Sequence, residues 1–559
     1  MPQSAGHLIV AQLEAHGVRR VYAVPGESYL DVLDGLHDSP IETVVCRHEG
    51  GAGFMALAEG RLTGTPGVVM VTRGPGAANA MIAVHTAWQD ATALVLFVGL
   101  IPVADRERDS FQEFSLTGWF GSTAKRVIVL DDPRRAGEIV AEAMHLAASG
   151  RPGPVVIGLP EDVLVQQVGA TTAPLRPVAS ATPSAAEIAA VTERLAAAQH
   201  PLIIVGGDGW NDETGRTLMD WAENAAVPVA ADWRAYDAVP HSAAYAGWLG
   251  YGRADTLAAR LDEADLLLFI GCGRSDVQSD GYTRGFAAPT VLVLPDPAAT
   301  MHSGRIDQQI FSSPAAFVAA LAASAATSDA ASGGARGTRT DAWMLALQHD
   351  QQRFAIPAPD GGNGVDLGVA FALLERELPR DRVVTYGAGN ATIWGHRYLS
   401  HDHAHSLVAP RNGAMGLAVP AAVAASLIFP HRQAVAICGD GDFFMTAQEV
   451  SVAFAEGSAP LVIVVDNGIY GTIVQHQRAH YPGRSSGTSM TNPDFAAWMR
   501  SFGGYGQLVE RTDDFESALT AALASGIPAL LHLRTDPETM PPPATNATPP
   551  AHRNTEAGL

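Results

Sequence analysis

Short, unbroken apolar runs, most of them closed by a glycine or an acidic residue, alternate along this chain with longer helical patterns. That alternation constrains the fold more than any other feature. VVMVT (68–72), ALVLFVG (93–99) and PVVIGLP (154–160) mark the first part, and LIIVGG (202–207), DLLLFIGCG (265–273) and TVLVLPD (290–296) the second. RVVTYG (382–387), AVAICGD (434–440), LVIVVDN (461–467) and PALLHLR (528–534) mark the last. Runs without polar alternation read as strands covered on both faces, and their alternation with helices means parallel sheets flanked by helices. Two stretches rich in small and polar residues, 169–186 and 323–340, read as linkers. The expectation is three consecutive α/β domains, at 1–168, 187–322 and 341–536, followed by a disordered Pro-rich tail at 537–559.

Charge and cysteine usage narrow the function. A net charge of −22 argues against a sequence-blind grip on nucleic acid, which needs a basic surface. There is no basic amphipathic stretch for a membrane surface and no run of about 18 apolar residues to span one. The N-terminus reads as an amphipathic helix, not a signal peptide. Cys46, Cys272 and Cys438 show no CxxC spacing, so neither a disulfide framework nor a zinc site is expected, and a reducing cytoplasm is the natural compartment. One count stands apart: of 36 basic residues the only lysine is Lys125.

Parallel sheets bind ligands beyond the carboxyl ends of their strands. Gly439-Asp440-Gly441 directly follows one such run, and after 24 further residues Asp466-Asn467 closes another. If the two strands are neighbours, a carboxylate and an amide oxygen meet at one sheet edge. With a nearby backbone carbonyl they suit a hard cation that keeps phosphate oxygens as its other ligands. The glycines allow close backbone approach to a diphosphate.

This pattern resembles the binding motif of thiamine-diphosphate (ThDP) enzymes, and the whole chain is similar to their acetolactate synthase-like group, which includes pyruvate and benzoylformate decarboxylases. The resemblance implies a pyrimidine-binding first domain, a nucleotide-fold-like central domain and a diphosphate-binding third domain. It assigns Mg²⁺ to Asp440, Asn467 and the carbonyl of Ile469, with Asp466 where the family usually has Asn. Glu49, in RHEGG, matches the glutamate that activates the cofactor, and Gly50 stands where Gln is usual. The turn Gly74-Pro75-Gly76 with Asn79 matches a cofactor-side segment. Met415 matches the apolar prop beneath the cofactor, a role suited to a flexible side chain. Gly389, Asn390, Gly413, Gly439, Gly441, Asp442, Tyr470 and Gly471 complete the implied cofactor-binding set. The implied assembly is a homodimer or homotetramer whose active sites are shared between chains.

On the substrate side, Phe111-Gln112-Glu113 followed by Lys125 matches an FQE…K spacing that places Gln112 and Lys125 along the substrate approach. Glu27, after Pro25-Gly26, falls where relatives put either a small residue or a catalytic acid. His476 stands where acetolactate synthases have a tryptophan that selects a 2-oxo acid acceptor. That departure brings aldehyde acceptors and simple decarboxylation level with acetohydroxyacid synthesis. The implied reaction is decarboxylation of a 2-oxo acid, carboligation, or both. The alternatives are a 2-hydroxyacyl-CoA lyase or oxalyl-CoA decarboxylase-like lyase, and a non-catalytic ThDP-binding subunit. Gly206-Gly207-Asp208-Gly209 and Gly271-Cys272-Gly273 mark where the family's central domain can hold FAD, although glycine turns alone are weak evidence for it. His401-Asp402-His403-His405 lacks the helical ligand spacing of a zinc site.

Overall fold

The computed structural model describes residues 3–297, 302–332, 341–358, 362–539 and 541. Three six-stranded sheets follow one another, and within each every strand pairs parallel to its neighbours. The first contains β1 (Arg20–Ala23), β2 (Glu42–Val45), β3 (Gly67–Val71), β4 (Leu94–Leu100), β5 (Arg126–Val129) and β6 (Pro154–Pro160), in the order β2-β1-β3-β4-β6-β5. A short antiparallel pair, Gln3–Ser4 with Gln167–Val168, closes this domain.

The second sheet contains β7 (Pro201–Val205), β8 (Val229–Asp232), β9 (Tyr245–Leu249), β10 (Leu266–Ile270), β11 (Thr290–Leu294) and β12 (Gln308–Phe311). Its order, β9-β8-β7-β10-β11-β12, is that of dinucleotide-binding folds. The third contains β13 (Val383–Tyr386), β14 (Leu407–Val408), β15 (Ala434–Gly439), β16 (Leu461–Asp466), β17 (Tyr505–Val509) and β18 (Ala529–Arg534). Its order, β14-β13-β15-β16-β18-β17, repeats that of the first sheet. Each sheet reverses direction beside its first strand, and the crevices there open at the strands' carboxyl ends.

The central strands β3, β4, β6, β15 and β16 are buried almost throughout, which is why they read as unbroken apolar runs. Three helices of the first domain matter here: α1 (Glu49–Thr63) after β2, α2 (Gly74–Asp90) after β3 and α3 (Ala136–Ala148) after β5. In the third domain α4 (Ala418–Ile428) and α5 (Gly471–His480) play the corresponding parts. α1, rich in Ala and Gly, and α4, rich in Ala, pack against each other, so one apolar core runs from the first domain into the third.

The stretch 169–184 carries no helix or strand, and the next helix starts at Ala185 with a Ser184–Glu187 capping box. The other linker differs from expectation: helix Pro314–Ser332 continues through 323–332, an alanine-rich run, and alanine is a strong helix former. Residues 333–340 and most of the Pro-rich tail lie outside the described residues. Among the described residues no helix is long and apolar enough to cross a membrane.

Candidate active site

The carboxyl ends of β13, β15 and β16 surround a cavity of about 310 Å³. Its lining contains Gly389, Asn390, Gly413, Met415, Gly439, Asp440, Gly441, Asp442, Asn467, Ile469, Tyr470 and Gly471, together with Thr472, Trp394 and others. Every cofactor residue named from the third domain is therefore brought to one cavity. Backbone freedom matters at two of them. Gly389 has φ +101°, in the left-handed region, and a Cβ at Gly441 would lie 2.6 Å from the Tyr470 ring. Thr472 Oγ1 donates to Asn390 Oδ1 at 3.0 Å, tying the β13 loop to the start of α5.

Asp440 is held tightly at the cavity wall. Its Oδ1 accepts from the Gly441 amide at 3.0 Å, and its Oδ2 from the Gly468 amide at 2.9 Å and Asn492 Nδ2 at 2.7 Å. Asn492 also donates to Asp466 Oδ1 at 2.8 Å, so two carboxylates share one amide group. Burial and the adjoining Asp466 push the Asp440 carboxyl well above the usual range. For Asp466 burial acts upward too, but His532 at 2.7 Å, Asn492 and Arg534 at 3.1 Å override it and hold this carboxylate low. Asn467 Oδ1 accepts from the Ile469 amide at 3.1 Å, which fixes the loop carrying the Ile469 carbonyl. Carboxylate, amide and carbonyl oxygens, with an uncompensated carboxylate among them, fit a hard divalent cation. Asp442 is also buried, and burial pushes its carboxyl up to about 7. Its Oδ1 accepts from the Gly416 amide, and a Cβ at Gly387 would overlap its Oδ2.

The first sheet carries the other group. Glu49 opens α1 at the end of β2, capped by the His48 ring, which accepts from the Gly50 amide at 3.0 Å. Asn79 Nδ2 donates to Glu49 Oε2 at 2.9 Å. A Cβ at Gly76 would lie 3.2 Å from Glu49 Oε1, so Gly74-Pro75-Gly76 passes directly beside the carboxylate. A side chain at Gly50 would press on the His48 ring and the Asn79 carbonyl, at 3.0 and 3.2 Å from its Cβ, which accounts for the missing glutamine. Glu27 follows β1 and pairs with Arg73 at 2.8 Å. Gln112 adopts φ +64° and accepts from the Gly74 amide at 3.2 Å through its carbonyl. Glu49, the glycine turn, Glu27 and Gln112 thus share the carboxyl edge of one sheet.

Lys125 is not brought to this edge. It precedes β5, at the opposite end of the sheet, and its ammonium donates to the carbonyls of Ser149 and, at 3.0 Å, Arg151. There it satisfies backbone acceptors just beyond the C-terminus of α3, a role for a compact cation. His476 lies on α5, exposed and outside the cavity lining, with its ring parallel to that of His480.

In the central domain the glycines after β7 and β10 meet each other. A Cβ at Gly207 would sit 2.2 Å from the Gly271 carbonyl, and Trp210 Nε1 donates to the Gly206 carbonyl at 3.0 Å. Close packing of the two turns accounts for Gly207 and Gly271. His401, His403 and His405 bond separately to Ser406, Asp212 and the Arg61 carbonyl. Among the described residues no cluster of three His, Cys, Asp or Glu side chains forms a metal site.

Sequence reasoning missed Asn492, His532 and Arg534. The register of β16 with β18 places Arg534 opposite Asp466 and His532 opposite Val464; only the unpartnered look of an Asp at position 466 hinted that a cation must face it.

Two sheets of one strand order, the first bearing a carboxylate beside a glycine turn and the third an oxygen-rich diphosphate-sized cavity, define a ThDP-dependent enzyme. Family models agree in all three domains. "Thiamine pyrophosphate enzyme, N-terminal TPP binding domain" matches residues 3–119, its central domain 188–321 and its C-terminal TPP binding domain 387–533. The chain is 30% identical to the acetolactate synthase isozyme 2 large subunit of Escherichia coli (strain K12), over 96% of this chain and 98% of that one. It is 30% identical to the acetolactate synthase large subunit of Parasynechococcus marenigrum (strain WH8102), over 95% and 88% of the two chains. The corresponding values for the catabolic acetolactate synthase of Raoultella terrigena are 29%, 95% and 94%. The chain belongs to the acetolactate synthase-like family of ThDP enzymes.

Proposed function

We propose that this enzyme, with ThDP and Mg²⁺, decarboxylates a 2-oxo acid and passes the remaining acyl unit to a proton or a second carbonyl compound. The observation that carries the reading is the pairing of Glu49, steadied by Asn79, with a separate cavity ringed by Asp440, Asn467 and Ile469. Asp440, Asn467 Oδ1 and the Ile469 carbonyl would hold the cation, Gly439 and Gly441 would give the diphosphate room, and Met415 would support the cofactor's bend. When bound, ThDP supplies a nucleophilic carbon that adds to the substrate carbonyl and takes up the electron pair left by departing carbon dioxide. Glu49 holds a proton at its carboxylate, against the cofactor's pyrimidine ring. Gln112 and Glu27 face the substrate, Gln112 as a hydrogen-bonding group and Glu27 as a proton carrier.

Glu49 lies in the first domain, whereas the cavity is lined by third-domain and C-terminal residues alone. That division supports a site completed by a second copy of the chain. Exposed Ile82, Phe444 and Ile473, beside these two groups, supply apolar surface for such a contact.

The test is proton exchange at the cofactor's reactive carbon, together with a panel of 2-oxo acids assayed for carbon dioxide and ketol products. Glu49→Gln should slow exchange by roughly 10²–10⁴-fold, the usual worth of an acid–base group. Exchange unchanged in that variant would sink the mechanism, and silence across the panel would sink the substrate class.

A further inference from the structure

Beside the direction-reversing crevice of the first sheet, between β1 and β3, lies a buried arginine. Arg73 follows β3 with its side chain only 8% exposed. One terminal nitrogen donates to Glu27 Oε1 at 2.8 Å and, more weakly, to Gln112 Oε1 at 3.5 Å, and the other donates to Glu161 Oε2, in the segment that follows β6. The two carboxylates differ in exposure: Glu161 is 33% exposed and Glu27 69%. One anchors the guanidinium, and the other is presented at the rim. A planar fork can hold two carboxylates on separate nitrogens at once, which a single ammonium does poorly.

The same residue is tied to the activating carboxylate. Arg73 opens the turn Arg73-Gly74-Pro75-Gly76, and that turn ends against Glu49 Oε1, 3.2 Å from a Cβ at Gly76. Glu27 is therefore fixed with respect to Glu49 through one buried side chain and one tight turn. Left alone at 69% exposure, a glutamate carries several free torsions. Held by a buried cation, it has a defined position on the edge where the substrate would meet the cofactor.

We infer that Arg73 is a positioning residue, which holds Glu27 at the reacting edge while Glu161 anchors it from behind. The inference rests on the function proposed above, but its test can fail independently. Arg73→Met, Arg73→Lys, Glu27→Gln and the Arg73→Met/Glu27→Gln double variant are compared as assembled enzyme with ThDP and Mg²⁺. In each, exchange at the cofactor carbon should match wild type, because Glu49 and Asn79 are intact. Turnover in Arg73→Met should fall by about 10²-fold, the scale of a misplaced catalytic group, with KM changed far less. Arg73→Lys should recover part of that loss. The double variant should be at most a few-fold slower than Glu27→Gln alone, since Arg73 acts chiefly through Glu27 and its bond to Gln112 is the longer one. If Arg73→Met costs the same factor in both backgrounds, or its loss follows unfolding in a thermal melt, the positioning role is wrong. Glu27→Gln, on an exposed side chain, keeps the comparison meaningful if Arg73→Met folds poorly: full turnover in that variant would also overturn the inference.

Discussion

Asp466 puts a carboxylate where related enzymes usually carry an amide, and its neighbours show how the chain accommodates the charge. Asp466 and His532 are both fully buried and 2.7 Å apart, and Arg534 meets the same carboxylate oxygen at 3.1 Å. Breaking such a pair leaves a buried charge with less than its full complement of partners. His532→Ala should therefore destabilise the protein by about 3 kcal/mol in denaturant unfolding, and adding Asp466→Asn should recover much of that loss. The identity of these partners was not legible beforehand, because His532 is 66 positions away and meets Asp466 only through strand pairing. Lys125 shows the opposite failure. A matching spacing suggested a substrate contact, but spacing says nothing about which end of a strand a residue occupies. With its ammonium bonded to two carbonyls beyond α3, Lys125→Arg should leave kcat within about 2-fold and lower Tm, since the larger planar group fits that pocket of carbonyls less well. A large fall in kcat without a fall in Tm would restore the substrate-side role.

At the level of elements, the strands were readable because burial on both faces removes polar alternation, whereas the meeting of helices was not. α1 and α2 approach so closely that a Cβ on Gly53 would lie 2.4 Å from the Ala83 Cβ. Gly53→Ala should force the two helices apart and cost about 1–3 kcal/mol despite alanine's better helix propensity, as measured by chemical denaturation. The start of α1 also receives Glu449, from the short turn Ala447–Glu449 of the third domain. Its carboxylate accepts from the Arg47 amide at 3.1 Å, and its Cγ lies 2.5 Å from where a Gly51 Cβ would be. Burial pushes the Glu449 carboxyl up to about 7 from an ordinary value near 4.5. The folded form thus binds an extra proton between those values, so this group's stabilising contribution is complete below about 4.5 and lost as pH rises through about 7. Thermal melts from pH 5 to 8 should show wild type losing stability relative to Glu449→Gln as pH rises. Parallel curves would mean that Glu449 does not titrate in this range.

Over the whole molecule, three domains could be counted from the sequence, but the identity of strand order between the first and third sheets could not. Order depends on which runs pair, and the runs are chemically alike. That likeness of order bears on the proposed site: each sheet offers one crevice, with Glu49 at the edge of the first and Asp440 at the edge of the third, while within a chain the two domains pack through the α1–α4 core. The cavity around Asp440 draws no lining residue from the first domain of its own chain, which is the ground for the proposal that a partner's first domain completes the site. Mixed assemblies decide this. On the proposed shared site, a Glu49→Gln chain and an Asp440→Ala chain should each be inactive alone, yet in a mixed dimer the intact Glu49 of one would face the intact Asp440 of the other. Random pairing from equal amounts should restore about a quarter of wild-type activity, since about half the dimers are mixed and each holds one intact site of two. Sites built within single chains would restore none, because every chain in the mixture carries a defect in its own site.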